Sequence, residues 1–332
     1  MRPILLLAAM CLGIAGCGDA VSVLTDDPAA NSAWSGGDAT VFDASEQAYS
    51  RPVPNLAPER LALHLVGAKH FSAIFVGGEA ETNGGLGPVF NAASCVSCHP
   101  PGGRPAAPMV GGDMGSMLVR LSLPAAASQA TGAPTPVPGF GGQLSDQAVP
   151  GVEPEASFLI EYLDTIVNLA DGTTYQLREP ESTIEGYRPL PLITESSARM
   201  PRPVYGLGLL EAVPNEVLLL REDELDRNGD RISGRPNYVV DIETGETVIG
   251  RFGWKANQPN LRQQAAGAYH DDMGITPSLF PFESVRGQIQ DDGNSDDPGV
   301  PDAILDAVTF PRRRSPCRPG ETSTTHRCNG ER

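Results

Sequence analysis

Two cysteines and a histidine, in Cys95-Val96-Ser97-Cys98-His99, are the residues of this sequence best suited to do chemistry. Two thiols three positions apart match the two vinyl groups of haem, and the adjacent imidazole reaches the iron from one side. With six cysteines and five histidines in 332 residues, random placement would give roughly 0.002 such motifs. The spacing predicts a covalently attached haem c, held by Cys95 and Cys98, with His99 on the iron.

Two other readings of the same motif are open. A zinc knuckle needs a second pair of ligands at suitable spacing, and a thioredoxin-like redox pair needs a βαβ setting. The sequence around Cys95 and Cys98 contains neither. Haem is therefore favoured over a disulfide or a zinc ion.

The second axial position of the iron separates electron transfer from peroxide chemistry, because a Met or His ligand closes the site and an open position admits substrate. We take Met273 as the candidate distal ligand. For any single residue of these types, packing in the core is the simpler explanation. The other candidates are Met109, Met114, Met117, Met200, His64, His70 and His270.

A calcium site is a further prediction of the sequence. Asp226, Asn228 and Asp230 supply oxygen ligands at positions 1, 3 and 5 of an EF-hand-like loop. The loop departs from that pattern, since Arg231 stands where glycine is needed and Asn237 where a bidentate glutamate is needed. An Asx-rich turn without metal is the alternative.

The N-terminus predicts an exported lipoprotein. Residues 1–17 combine a positive charge, a short apolar run and small residues before Cys17, an arrangement typical of a signal peptide that ends in a lipobox. Acylated Cys17 would hold the protein on the periplasmic face of a bacterial membrane, with the outer membrane slightly favoured. Residues 18–58 then form a flexible tether.

The amino-acid composition limits the kinds of partner that the chain can bind. The formal charge of −17 excludes nucleic acid, whose binding needs clustered Lys and Arg. Acidity suits docking on a basic redox partner such as a small cytochrome. The 37 glycines and 31 prolines predict long irregular connections.

Apolar spacing predicts four segments of regular structure. Residues 57–74 and 301–310 are predicted to be helical, and 206–221 to be a buried helix or a pair of short ones. Residues 157–165 alternate as a strand or a short helix would. We divide the chain into a haem domain at 59–200, a second region at 201–310 and a disordered, arginine-rich tail at 311–332.

Beyond the haem motif, the sequence resembles the bacterial di-haem oxidoreductase family, also called thiol oxidoreductases, which is related to the di-haem cytochrome c peroxidases. The resemblance covers roughly residues 60–310. It is carried by GGLGPVFNA before the haem motif (84–92), GLGLLEA (206–212), DRNGDRISGRPN (226–237), GRFGWKA (250–256) and DMGIT (272–276).

This resemblance implies a mainly α-helical fold with a cytochrome c-like haem domain, long Gly/Pro-rich loops and a partial second domain. It implies electron transfer with peroxide reduction, with Glu211 as an acid/base residue and Trp254 packed between two haems. A second haem motif is expected after Phe310 and is missing, since neither Cys317 nor Cys328 is followed by histidine. We therefore expect a truncated member. A single-haem electron carrier and a non-redox lipoprotein are the alternatives.

Overall fold

The computed structural model of the protein describes residues 36–78, 80, 82–111, 114–124, 133–293 and 299–313. The predicted signal peptide, Cys17 and nearly all of the tail after residue 310 lie outside the described residues. Among the residues that are described, no helix combines the length and the apolar character needed to cross a membrane.

Six α-helices are present in the described chain. They are α1 (Pro58–Phe71), α2 (Cys95–Cys98), α3 (Leu207–Glu211), α4 (Asn215–Leu219), α5 (Leu261–Met273) and α6 (Asp302–Arg313). Short 3-10 helices cover Gly37–Ala39, Glu46–Ser50 and Pro100–Gly102. Helix α6 packs against α1 and also touches α5 and α3, so the longer helices form one cluster.

In the part of the chain that the structure describes, nine strands form four small antiparallel sheets. Strands β1 (Val89–Phe90) and β4 (Gln147–Ala148) pair, and β2 (Leu118–Ser122) lies between β3 (Gln143–Leu144) and β7 (Glu195–Arg199). The long strands β5 (Ala156–Asn168) and β6 (Thr174–Gly186) form a hairpin, and β8 (Tyr238–Val240) pairs with β9 (Thr247–Ile249).

The prediction of a mainly α-helical fold is wrong, because the structure is 24% helical and 23% strand. The expectation came from the family resemblance. Of the stretches that carry it, 206–212 contains α3 and 272–276 begins at the end of α5, whereas 84–92 contains β1. The strands lie largely in the intervening segment, from residue 118 to 199. Runs such as Phe158-Leu159-Ile160 and Thr165-Ile166-Val167 are rich in residues that pack well on a pleated surface.

The four segment predictions fare differently. The helix at 57–74 is confirmed as α1, which begins at Pro58, where the missing N–H of proline is tolerated. The helix at 301–310 is confirmed within α6, and the segment at 157–165 is a strand. Residues 206–221 form a pair of short helices, but burial was wrongly predicted, since no residue of either helix is buried.

Two hydrophobic clusters make up the core. The first joins α1, α5, α6 and the segment before the haem motif, through residues such as Phe71, Phe90 and Tyr269. The second lies under the β2 sheet and the base of the β5–β6 hairpin. The Ser116 hydroxyl donates to the Ser97 carbonyl at 3.0 Å, so the second cluster is tied to the haem motif.

Candidate haem site

Cys95, Cys98 and His99 line one side of a cavity of about 720 Å³, including its open mouth. Cofactor pockets are mostly apolar, with a few polar groups. The remaining lining residues are Phe71, Ala92, Ser94, Val204, Leu207, Leu261, Gln264, Ala265, Ala268, Tyr269, Asp272, Met273 and Val308. The cavity is thus an apolar pocket with a few polar groups. The lining residues come from both of the regions into which the sequence was divided, 59–200 and 201–310.

The haem motif itself forms the single helical turn α2. Ser94 is extended before it, and the His99 N–H donates to the Cys95 carbonyl at 2.9 Å. Pro100 follows, and the residue before a proline is disfavoured in helical conformation, which ends the helix at Cys98. One turn of helix therefore brings both thiols and the imidazole to the same cavity.

Helix α5 supplies the facing wall. The Asn260 side chain accepts the Gln263 N–H at 2.8 Å and starts the helix, and Gly274 ends it at a φ of +64°. Residues four apart share a helix face, and the stripe that lines the cavity is Leu261, Ala265, Tyr269 and Met273.

A close backbone approach holds this wall against the segment before the motif. The Gly87 N–H donates to the Met273 carbonyl at 3.1 Å, and the Asn91 N–H donates to the Asp272 carbonyl at 2.8 Å. A Cβ on Gly87 would lie 2.7 Å from both the Cα and the carbonyl carbon of Gly274. Glycine is therefore required at 87 for the two segments to meet.

The residues of the cavity fit a haem. Tyr269 is buried, yet its hydroxyl has no hydrogen-bond partner among the described residues. The Gln264 Oε1 atom likewise has none there. Buried polar groups are normally hydrogen-bonded, so two unmatched polar atoms at one apolar cavity indicate a ligand with polar groups. Cys95 and Cys98 line the same cavity and are not joined in a disulfide.

The environment of Cys98 is not that of a reactive redox cysteine. Burial, with smaller effects of Asp272 and Cys95, raises the pKa of the Cys98 thiol to about 12. Reactive redox cysteines have lowered pKa values. Across the described ranges, no His, Asp or Glu completes a group of three ligating atoms with these thiols.

The unpaired Tyr269 hydroxyl leads to a prediction for the stability of Tyr269→Phe. A buried polar group without a partner costs about 1–3 kcal/mol, so we expect this change to raise the free energy of unfolding by about 1 kcal/mol when no haem is attached. Urea unfolding in a Cys95→Ser/Cys98→Ser background measures it. Tyr175→Phe, at an exposed position of β6, is the control and should have no effect. A loss of stability in Tyr269→Phe would contradict the assignment.

A polar network lies behind the α5 wall. Arg120 donates to Asp271 at 2.7 Å, and the Gln143 side-chain amide donates to Asp272 at 2.9 Å and to Asn91 at 2.8 Å. Burial alone would raise the pKa of Asp271, but Arg120 and His270 hold it well below its usual range. Asp272 has no such direct cation contact, and burial raises its pKa to about 6. Asp272, which lines the cavity beside the haem motif, is therefore more readily protonated than Asp271.

A second, smaller cavity of about 340 Å³, including open solvent, lies on the other side of this network. Glu155, His270 and Asp271 are among its lining residues. Glu155 is 1% exposed, and its carboxylate accepts the Ser145 N–H at 2.9 Å. Burial outweighs that hydrogen bond and raises the pKa of Glu155 to about 7.

This raised pKa predicts a pH dependence of stability. The folded state favours the protonated form of Glu155, so its contribution is complete below about pH 4.5 and is lost as the pH rises through about 7. We expect the free energy of unfolding of the wild type to fall over that window by about 1–3 kcal/mol more than that of Glu155→Gln. Denaturant titrations between pH 4.5 and 8 measure the difference. The exposed Glu153→Gln should follow the wild type, and equal slopes for Glu155→Gln and wild type would refute the prediction.

The structure brings one of the eight candidate distal ligands to the cavity. Met273 is buried and lines the cavity together with the haem motif. Met114 and Met117 are buried in the second core cluster, with Met200 packed against it, and Met109 is exposed. His64 and His70 lie on α1 outside the lining, and both ring nitrogens of His270 are within 2.9 Å of Asp271 or Phe282 oxygens.

The two proposed catalytic residues lie outside the cavity lining. The Glu211 carboxylate accepts the N–H of Leu261 at 2.9 Å, which places it at the first turn of α5, where a negative charge is favourable. Trp254 is 42% exposed, donates from its indole nitrogen to the Met200 carbonyl at 2.8 Å, and lies under Arg202. Their observed contacts position chain segments, and the catalytic roles stay predictions.

The predicted calcium loop is exposed and internally hydrogen-bonded. The Asp226 carboxylate accepts the Arg231 N–H at 3.1 Å, and the Asn228 side chain accepts the Asp230 N–H at 2.9 Å. Such contacts are those of Asx turns. Calcium binding at Asp226, Asn228 and Asp230 stays a prediction.

Several of the sequence stretches that carry the family resemblance contact one another near the cavity. The Arg251 guanidinium donates to the carbonyls of Leu210, Glu211 and Val213, at the end of α3. The Asn237 side chain donates to the Lys255 and Ala256 carbonyls. Arg251 thereby fixes α3, whose Leu207 lines the cavity.

Sequence reasoning missed Tyr269, Gln264 and Asp272 as site residues. The available signal was the four-residue spacing of Leu261, Ala265, Tyr269 and Met273, preceded by Asn260 and followed by Gly274. That pattern predicts a capped helix with one apolar stripe. Which face of the helix meets the haem motif depends on tertiary packing.

A comparison with known protein families gives a match. The model of the family described as "Di-haem oxidoreductase, putative peroxidase" matches residues 30–304, which is most of the chain. No curated protein and no solved structure matches.

Proposed function

The chain belongs to the di-haem oxidoreductase family, and from that premise we propose that it is a redox protein with a haem c attached at Cys95 and Cys98. The observation that carries the proposal is the convergence of both thiols, His99 and Met273 on one apolar cavity with an unmatched Tyr269 hydroxyl. Oxidoreductase chemistry follows from the family.

Haem bound here would supply a one-electron redox centre. The residues of the chain have distinct tasks around it. Cys95 and Cys98 would tether the group and His99 would ligate its iron. The apolar stripe of α5 would exclude water from the cavity, and the Tyr269 hydroxyl would offer a hydrogen bond to a polar group inside it. Protein burial of this kind is one of the factors that set a reduction potential.

Two functions remain distinct within this proposal, peroxide reduction and simple electron transfer. The position of Met273 favours the carrier, because a methionine on the iron closes the site to substrate. Peroxide reduction is the reaction that the family description suggests, and it needs an open position on the iron. Ligation by Met273 therefore decides between them.

Visible spectroscopy of the haem-loaded protein tests this choice. For the carrier, we expect a low-spin spectrum that does not change on adding hydrogen peroxide, and we expect Met273→Ala to convert it to a high-spin spectrum that does change. Met109→Ala, at an exposed methionine, is the control. A wild-type spectrum that responds to peroxide would instead support the peroxidase.

Location and partners complete the proposal. Lipid attachment at Cys17 on the periplasmic face of a bacterial membrane, and a basic redox partner such as a small cytochrome, are supported by the N-terminal sequence and by the charge of −17. Labelling with a radioactive fatty acid tests the anchor. Label should be incorporated by the wild type and lost in Cys17→Ser.

A further inference from the structure

The β5–β6 hairpin projects from the body of the protein. Its two strands pair over 13 residues each, a length of roughly 40 Å in extended backbone. Only the base is held by the core, where Ala156 and Ile160 are buried and Phe158, Tyr162 and Ile184 pack against the second cluster. From residue 163 to the turn and back to 183, every residue is exposed except the half-buried Val167.

One face of this hairpin is both apolar and exposed. Residues directly opposite in an antiparallel pair share a face. We call the face formed by the odd-numbered positions of 157–167 and 175–185 the outer face. It exposes Leu159 (45%), Leu163 (52%), Tyr175 (54%) and Leu177 (55%).

The charges on the outer face have a single sign. Glu161 stands directly opposite Glu181, and Glu179 is opposite Leu163 in the next row, with Glu185 nearer the base. The outer face has no Lys or Arg. The basic residue of the hairpin, Arg178, lies on the other face, where it pairs with Asp164 at 3.2 Å and covers the Tyr162 ring.

This arrangement is unfavourable for an isolated hairpin. Like charges directly opposite one another destabilise a strand pair, and a two-stranded hairpin alone is marginally stable in water. Adjoining exposed apolar side chains mark interaction surfaces. A partner with positive charges around an apolar centre would relieve both the repulsion and the apolar exposure.

We propose that the outer face of the β5–β6 hairpin is the docking surface for a partner protein with a basic, apolar-centred surface. Charge complementarity selects this occupant. A second copy of the chain would bring eight glutamates together, and an anionic lipid surface would be repelled. The redox character of the partner rests on the proposed function, whereas the surface and its charge preference do not.

The test measures binding of the full-length, haem-loaded protein to a small lysine-rich cytochrome c as the probe, at low and at high ionic strength. We expect Glu161→Gln/Glu179→Gln/Glu181→Gln to weaken binding about tenfold at low ionic strength. Glu216→Gln/Glu222→Gln/Glu246→Gln changes the net charge equally at exposed positions elsewhere and should bind like the wild type.

A second variant, Leu163→Ser/Leu177→Ser, tests the apolar part and should weaken binding at both ionic strengths. Zero-length carbodiimide cross-links should join probe lysines to Glu161, Glu179 or Glu181. Equal weakening by both glutamine triples, or no binding of the probe at low ionic strength, would overturn the proposal. So would a wild-type dimer, seen by sedimentation, that the two serines dissociate.

Binding is read from immobilised protein and needs no signal from haem. Absence of haem with outer-face binding retained would therefore overturn the proposed function alone. Normal haem content without outer-face binding would overturn the docking surface alone.

Discussion

Cys95→Ser/Cys98→Ser is expected to yield a folded protein without covalent haem. The thioether bonds need both sulfur atoms, and a hydroxyl does not add to the vinyl groups in their place. Haem content measured as the pyridine haemochrome should fall from about one per chain to background. Haem staining of the denatured protein should disappear, because no bond then survives unfolding.

The matched control for this prediction is Cys317→Ser/Cys328→Ser, which removes two thiols outside the haem motif and should keep the full haem content. Each single change at Cys95 or Cys98 leaves one thioether and should give haem that is attached but less securely held. Covalent haem in the double variant, or two haems per wild-type chain, would show the assignment to be wrong.

Gly87→Ala is expected to lower the free energy of unfolding by about 4 kcal/mol, at the upper end for a single substitution. The added methyl would lie 2.7 Å from backbone atoms of Gly274, and backbone cannot rotate away as a side chain can. The hydrogen bond from Gly87 to the Met273 carbonyl would be lost as the segments separate. Denaturant unfolding measures the loss.

The same substitution should alter the haem site, because Met273 is carried by the segment that must move. We expect a changed visible spectrum in any Gly87→Ala protein that retains haem. Gly142→Ala is the control, since a Cβ there meets no atom within 4 Å, and its stability and spectrum should match the wild type. A Gly87→Ala protein as stable as Gly142→Ala would refute the packing argument.

Glu211 illustrates how a family resemblance can suggest a role that the observed contacts leave untested. The resemblance suggested acid/base chemistry, and the structure shows its carboxylate on the first N–H of α5. That contact orients the helix that carries Tyr269 and Met273. Glu211 can therefore influence the cavity without reaching into it.

The hairpin shows why the fold class was missed. Its two strands are 13 residues long each, but the sequence predicted only the segment 157–165, as a strand or a short helix. The exposed apolar residues of the outer face blur the contrast between a buried and a solvent face. Periodicity is informative when one face is buried, and here most of the hairpin has no buried face.

The sequence by itself predicted Cys95, Cys98 and His99 as the haem attachment residues, because their spacing is a local signal. It also determined α1 and α6, whose apolar spacing and first-turn prolines are local signals. Only the tertiary structure decided that α5 faces the motif, that Met273 rather than another methionine lines the cavity, and that Glu211 and Trp254 do not. The position of α5 depends on contacts between residues more than a hundred positions apart, such as the approach of Gly87 to Gly274. The local sequence of a segment does not indicate which distant segment will pack against it.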